Sequence, residues 1–240
     1  MQQLYLTKIR HSFPRPVIED VSGAVAQELG AMRGRVQRGD EIALAVGSRG
    51  IANIATVVKT TVDVLKAWGA SPFIIPAMGS HGGGTAAGQA EVLASYDITA
   101  RTMGCPVRSS METVELTPSN ARNRVFMDAF AHASDGVILI NRVKIHTDFH
   151  GPYESGLVKL SVIGLGKHRQ ALEIHSHGFY GLRHLIPWTS QQILATGKIR
   201  FGIALVENAY DETMVVKALP PEAIMDEEPK LLDISREHMP

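Results

Sequence analysis

Residues 39–77 read GDEIALAVGSRGIANIATVVKTTVDVLKAWGASPFIIPA. Gly39-Asp40 turns the chain into Glu41-Ile42-Ala43-Leu44-Ala45-Val46, a short and nearly unbroken apolar run. A strand with one face in water alternates apolar and polar residues, so an unbroken run predicts a strand covered on both faces, as in a parallel sheet. Gly47-Ser48-Arg49-Gly50 interrupts it, a helix is predicted from about Ile51 to Trp68, and Gly69-Ala70-Ser71-Pro72 stops that helix before a second strand, Phe73-Ile74-Ile75-Pro76-Ala77. Strand, short loop, helix, short loop and strand make a β-α-β unit, because parallel neighbours need a crossover.

Upstream, Leu4 to Ile9 is strand-like and Pro14-Arg15-Pro16 breaks it. Val17, Val21, Val25 and Leu29 recur at four-residue steps and predict an amphipathic helix from Val17 to Met32. Downstream, Thr85 is placed to cap a helix from Ala86 to Tyr96. Residues 97–121 read as short strands and turns, with Val107 and Thr113 to Leu116 the strand candidates, and Asp128 to His132 reads as helix. Gly136 to Ile140 is a further buried strand, and Trp188 to Thr196 a helix. Phe201 to Glu207 and Met214 to Ala218, joined across Asn208 to Glu212, read as an antiparallel hairpin at the sheet edge. The tail EPKLLDISREHMP carries Leu231, Leu232 and Ile234 with nothing after them to pack against, and reads as an interrupted helix. The expected fold is α/β, a single domain over residues 1–240. It has an open, mainly parallel, Rossmann-like sheet with helices on both faces and a hairpin near the C-terminal end.

Composition narrows the function. A chain of 240 residues buries roughly 70–75% of its unfolded surface and needs no disulfide or structural metal. Its 24 basic and 24 acidic side chains cancel, with no basic block, which argues against nucleic acid and anionic membrane as partners. Cys105 is the sole cysteine, so an internal disulfide is excluded and a reducing compartment is expected. No window approaches the roughly 18 apolar residues of a membrane span. The first residues lack the apolar core of a secretory signal, so a cytoplasmic protein is expected.

Three polar clusters follow predicted strands, the position at which open parallel sheets bind ligands. Gly47-Ser48-Arg49-Gly50 joins a hydroxyl and a fixed cation to a helix start, which favours phosphate or carboxylate; a surface ion pair of Arg49 is the plainer alternative. Met78-Gly79-Ser80-His81-Gly82-Gly83-Gly84 has four glycines within six residues, suited to close approach of backbone to a ligand. It matches neither the Walker nor the Rossmann fingerprint. His81 at its centre suits proton transfer near neutral pH, or a hydrogen-bonded structural role. The third cluster is NRVKIHTDFHGPYESGLVKLSVIGLGKHRQALEIHSHG, residues 141–178, which holds five of the ten histidines along with Asp148, Glu154, Lys159 and Lys167. Lys159 sits among Leu157, Val158, Leu160 and Val162. A lysine in such surroundings serves as a nucleophile or covalent anchor, or else snorkels to water. His146, His150, His175 and His177 offer imidazoles for nickel, zinc or copper.

On Gly47-Ser48-Arg49, PAMGSHGG (76–83) and NRVKIHTDFHGPYESGLVKLSVIGLGKH (141–168), the chain resembles the N-terminal domain of the lactate racemase family. The resemblance implies inversion of the hydroxyl-bearing carbon of a 2-hydroxy acid or related compound, by hydride transfer to and from a nickel-pincer nucleotide. It implies that Lys159 tethers this cofactor, that His175 (with His177 as rival) completes the nickel coordination, and that His81 and His146 (rather than His150) exchange the hydroxyl proton. Ser48 and Arg49 would hold the cofactor phosphate or the substrate carboxylate.

The resemblance has two departures. Val46-Gly47 stands where lactate racemases carry an acidic residue before the Ser/Thr-Arg pair, which suggests a divergent branch. Family members also continue into a second α/β domain that closes over the cofactor. The remainder is therefore expected from a longer chain, a separate chain or a homo-oligomer partner, and an isolated half is expected to turn over slowly because water is not excluded. Two other readings remain open from the residues: a zinc hydrolase using His146, His150, His175 or His177, and a non-catalytic module binding a small anion.

Overall fold

The computed structural model describes residues 7–48, 50–118 and 120–239. In its main sheet β1 (Glu41–Val46) is flanked by β2 (Ser71–Pro76) and β5 (Gly136–Arg142), with β6 (Ile199–Glu207) and β7 (Thr213–Leu219) beyond β5, so the order is β2-β1-β5-β6-β7 with β5 at the centre. All pairings are parallel except β6 with β7, the predicted hairpin. Ile42 to Val46 are buried without alternation, as two covered faces require. Two further strands, β3 (Thr113–Glu115) and β4 (Phe126–Asp128), pair antiparallel in a separate sheet.

One face packs Ile42, Leu44 and Val46 against α1 (Val21–Gly30), α2 (Ile54–Ala67), α3 (Ala86–Ser95) and the short α4 (Ala100–Met103). The other face presents Ala43 and Ala45. Packed there are α5 (Ala129–Ala133), α6 (Leu157–Lys159), α7 (Lys167–Ser176), α9 (Ile186–Ala195) and α10 (Pro221–His238), while the short α8 (Gly178–Tyr180), between α7 and α9, is exposed. A π-helical turn, Leu160–Gly164, links α6 towards α7, and another, Gly181–Leu185, links α8 to α9. Gly202 on β6 sets the height of α6, since a Cβ there would stand 2.5 Å from Leu157 Cδ1.

Three sequence expectations need correction. The first helix begins at Val21, because the Asp20 side chain accepts from Gly23 N–H and caps it there, and Val17 is 41% exposed. Of the expected opening strand, Leu4 to Leu6 lie outside the described residues and Thr7 to Ile9 have no regular structure. The tail, expected to have nothing to pack against, is packed. It continues α10, which folds back on β6 and buries Leu231 and Leu232. Pro229 inside it lacks the N–H that would bond Met225 C=O, and the Tyr153 hydroxyl donates to that carbonyl instead, at 2.8 Å.

The order of strands reverses at β1, whose successor β2 lies to one side and β5 to the other. Open α/β sheets place ligands outside the strand carboxyl ends at such a switch point, here between Val46 and Arg142.

Candidate active site

A cleft of about 360 Å³ opens at this point. Ser48, His81, His146, Lys159 and His175 line it together with the cations Arg142 and Lys144. Arg49 lies outside the described residues.

His81 sits in the loop after β2. Its Nδ1 is 2.6 Å from Ser48 Oγ, a contact whose donor depends on the imidazole tautomer. Ser48 thus has a neighbour that the sequence did not suggest. The loop is held from below by an interior polar chain. Gln89 Nε2 donates to the carbonyls of Gly79 (2.9 Å) and His81 (3.2 Å), and Lys167 Nζ donates to Gln89 Oε1 (3.4 Å) and to Pro76 C=O. Asp128 Oδ2 stands 3.0 Å from Lys167 Nζ, at angles that fall short of a hydrogen bond. Burial pushes the Lys167 ammonium pKa down, and Asp128 partly restores it. Lys167 keeps φ at +56°, a strained conformation for a lysine that the surrounding contacts sustain.

The glycines of this loop shape its backbone. Gly79, Gly82, Gly83 and Gly84 all have positive φ, and none of them lines the cleft. They turn the chain, and a Cβ on Gly82 would stand 2.6 Å from the backbone of Gly88. Gly82 thus approaches α3 closely, whereas a Cβ on Gly79 would stand 2.7 Å from Ile163 Cγ2.

His146 lies in the loop after β5, whose neck is closed by reciprocal bonds between Lys144 and Ser155 (2.9 and 3.1 Å). Its backbone N–H donates to Glu154 Oε2 at 2.6 Å, and its Nδ1 accepts from Asp148 N–H at 3.1 Å. A neutral ring accepting at Nδ1 carries its proton on Nε2. Glu154 is buried. Desolvation pushes its pKa up, but donation from His146 N–H, Arg236 and Gly151 N–H outweighs this, and the net shift is downward.

Lys159 is half-buried, its Nζ 5.1 Å from the Phe149 ring centre. It stands at the junction of α6 with the π-helical turn whose Leu160, Ile163 and Gly164 also line the cleft. Beneath it Glu228 of α10 accepts from Val158 N–H at 2.9 Å. Glu228 is fully buried, and desolvation raises its carboxyl to about 7 against donation from the Val158 and Leu157 N–H groups.

His175 is exposed at the cleft rim, on the last turn of α7. Its rivals do not line the cleft: His177 leans towards Glu173 (3.7 Å) and His150 towards Glu154 (3.5 Å). Among the described residues no three His, Cys, Asp or Glu side chains gather as a metal-holding set. A zinc hydrolase site, which needs three protein donors, therefore finds no such set in the arrangement of these imidazoles. No helix of the described residues is long and apolar enough to cross a membrane.

No role was read from sequence for Gln89, Asp128, Glu154, Lys167 or Arg236. The signal was faint, since each acts through a partner far away along the chain.

No family model matches the chain, and no curated protein sequence matches it. In structure it is similar to the lactate racemase apoprotein from Thermoanaerobacterium thermosaccharolyticum, with a TM-score of 0.65 and 13% sequence identity. The similarity covers 90% of this chain and 55% of that one, so the chain spans little more than half the length of its structural neighbour. At this identity the likeness establishes the fold: an α/β architecture shared with a lactate racemase.

Proposed function

We propose that the protein is a racemase or epimerase of a 2-hydroxy acid or related hydroxy acid, or the cofactor-binding part of one. The observation that carries this reading is the meeting of His81, His146, Lys159 and His175 in one cleft at the topological switch point. Arg142 and Lys144 in the lining favour a carboxylate or phosphate. Arg142 is oriented by its ion pair with buried Glu207.

The donor set suits a nickel-pincer nucleotide. A covalently tethered organometallic group brings most of its own metal ligands, so it asks the protein for an amine and an imidazole rather than a three-residue metal site. Lys159 is the tether in this reading and His175 the imidazole donor. When bound, the group would supply the acceptor and donor of hydride.

The chain's own residues manage the proton and the orientation of substrate. A hydroxyl proton must leave as its carbon loses hydride, and an unprotonated imidazole nitrogen within hydrogen-bond reach is the natural acceptor. With Ser48 Oγ accepting from Nδ1–H, the unprotonated nitrogen of His81 is Nε2, and it serves as that base. His146, with Nδ1 occupied by Asp148 N–H, presents Nε2–H and is set to donate. A base and a donor in one cleft make the exchange reversible, and Ser48 and Asp148 govern which histidine starts in which state.

The test is expression alongside the cofactor's biosynthetic enzymes, followed by intact mass, metal analysis and chiral chromatography of a panel of 2-hydroxy acids. The expected result is stoichiometric nickel, an added mass that maps to Lys159, and racemisation abolished by Lys159→Ala. A nickel-loaded protein with Lys159 unmodified would overturn the proposal.

A further inference from the structure

The loop from Ile145 to Glu154 is closed around one carboxylate. Glu154 is buried, and its oxygens accept from His146 N–H (2.6 Å) and Gly151 N–H (3.2 Å), near the two ends of the loop. The cation that matches this charge is distant in sequence: Arg236, near the end of α10, donates through Nη2 to Glu154 Oε1 and to Gly151 C=O, both at 2.8 Å. Asp233 fixes the same guanidinium at 2.6 Å, and His150 approaches Glu154 from the loop itself at 3.5 Å. Farther along α10, Met225 C=O holds Tyr153 and Glu228 holds Val158 N–H. The segment from His146 to Lys159 therefore hangs on α10 at three places.

We infer that Glu154, keyed by Arg236, is the positioning residue for His146: it fixes the loop backbone so that Asp148 N–H lies against Nδ1 and the ring is held as its Nε2–H tautomer. The chain of cause is local. With the backbone pinned at residues 146 and 151, the residues between them have little freedom, and Asp148 N–H reaches the ring at 3.1 Å. A carboxylate can serve two N–H donors and a guanidinium at once, whereas an amide has a single acceptor oxygen. Removing the cation leaves a buried charge with backbone donors alone. Phe149, its ring 4.5 Å from that of His146, supports the imidazole from the side.

The inference deepens the proposed function, since it names what orients one of the two proton-handling histidines, but its test needs no turnover. The protein is labelled with ¹⁵N at histidine for the ring nitrogens, and uniformly for amide exchange. His146 signals are assigned by their loss in His146→Gln. In the parent, His146 Nδ1 is expected to show the shift of an unprotonated nitrogen and Nε2 that of a protonated one. Glu154→Gln and Arg236→Gln are each expected to average the two shifts and to speed exchange of the His146 amide by about tenfold or more. Arg236→Lys should restore most of the parent pattern, and His132 on α5 should not change. A folded Glu154→Gln or Arg236→Gln protein with parent-like His146 nitrogens and amide exchange overturns the inference. Should Glu154→Gln fail to fold, Arg236→Gln, whose side chain is 40% exposed, decides alone by the same two outcomes. Normal His146 responses without racemisation would count against the proposed function only, and unchanged His146 signals in an active racemase against this inference only.

Discussion

His81 hangs from a polar chain sealed inside the protein, whereas His146 hangs from a buried carboxylate whose cation reaches solvent. On the His81 side, Lys167, Asp128 and Gln89 are all 0% exposed. On the His146 side, the Arg236 side chain is 40% exposed. In the interior neither charge of a pair can be hydrated, so removing one strands the other at a large cost. At the surface, water and salt replace much of what a lost partner supplied. The two sides of the cleft should therefore differ in how they fail. Damage below His81 should appear as global instability, and damage beside His146 as local loosening with the fold retained.

The most severe test of this contrast is Lys167→Met, which leaves Asp128 charged and buried. A loss of roughly 3–5 kcal/mol of unfolding free energy is expected in urea denaturation. Adding Asp128→Asn should recover a large part of it, and a loss below about 1 kcal/mol would mean the interior chain is not what holds that side.

Next in size is the pH response of Glu228, the carboxyl under Lys159. Its folded pKa of about 7 lies above its ordinary value of 4.5, so the folded state binds a proton that the unfolded state releases. Its stabilising contribution is complete below pH 4.5 and is lost as pH rises through 7. Glu228→Gln should remove this dependence and gain up to about 3 kcal/mol over the parent between pH 5 and 8.5. Parallel stability profiles for the two proteins would contradict it.

Gly82→Ala should follow, at about 2 kcal/mol from the left-handed backbone together with the clash on Gly88. It should also disturb the Ser48–His81 contact, seen as a changed His81 imidazole spectrum. Arg236→Gln should cost least, about 1–2 kcal/mol by thermal or urea unfolding, because the buried Glu154 carboxylate keeps the His146 and Gly151 N–H donors when its cation is removed. If it proved as destabilising as Lys167→Met, the distinction between the two sides would collapse.

Elements made by neighbours in sequence were readable before any tertiary structure was known. The unbroken run Glu41 to Val46 could only be a covered strand, and Thr85 did cap α3, accepting from Gly88 N–H. The hairpin of β6 and β7 was visible because its turn and both strands lie within 21 residues, 199–219. The clusters after β1, β2 and β5 were recognisable as loops at strand ends.

The two lysines show where that reading ran out. Both follow apolar residues and a glycine closely, and the sequence drew attention to Lys159 for its apolar surroundings. Yet Lys159 is half-buried beside the cleft, and Lys167 is the one sealed inside. A side chain's direction depends on the turn it sits on, and here α6, a π-helical turn and a left-handed residue succeed one another within a few positions. No simple periodicity survives such changes. The tail shows the same limit from another side. Leu231 and Leu232 had no partner downstream because their partner is β6, already made earlier in the chain.

The amino-acid sequence by itself determined the alternation of strands and helices, the terminal hairpin and the placing of polar clusters after strands. Hydrophobic runs, caps and turns act over a few residues and are written in that order. Tertiary structure decided which imidazoles share a cleft, which lysine is buried, and that a C-terminal arginine holds the His146 loop. These depend on contacts such as Arg236 with Glu154, 82 residues apart. Such a pairing is favourable only after a sheet has excluded water around it and brought distant segments together.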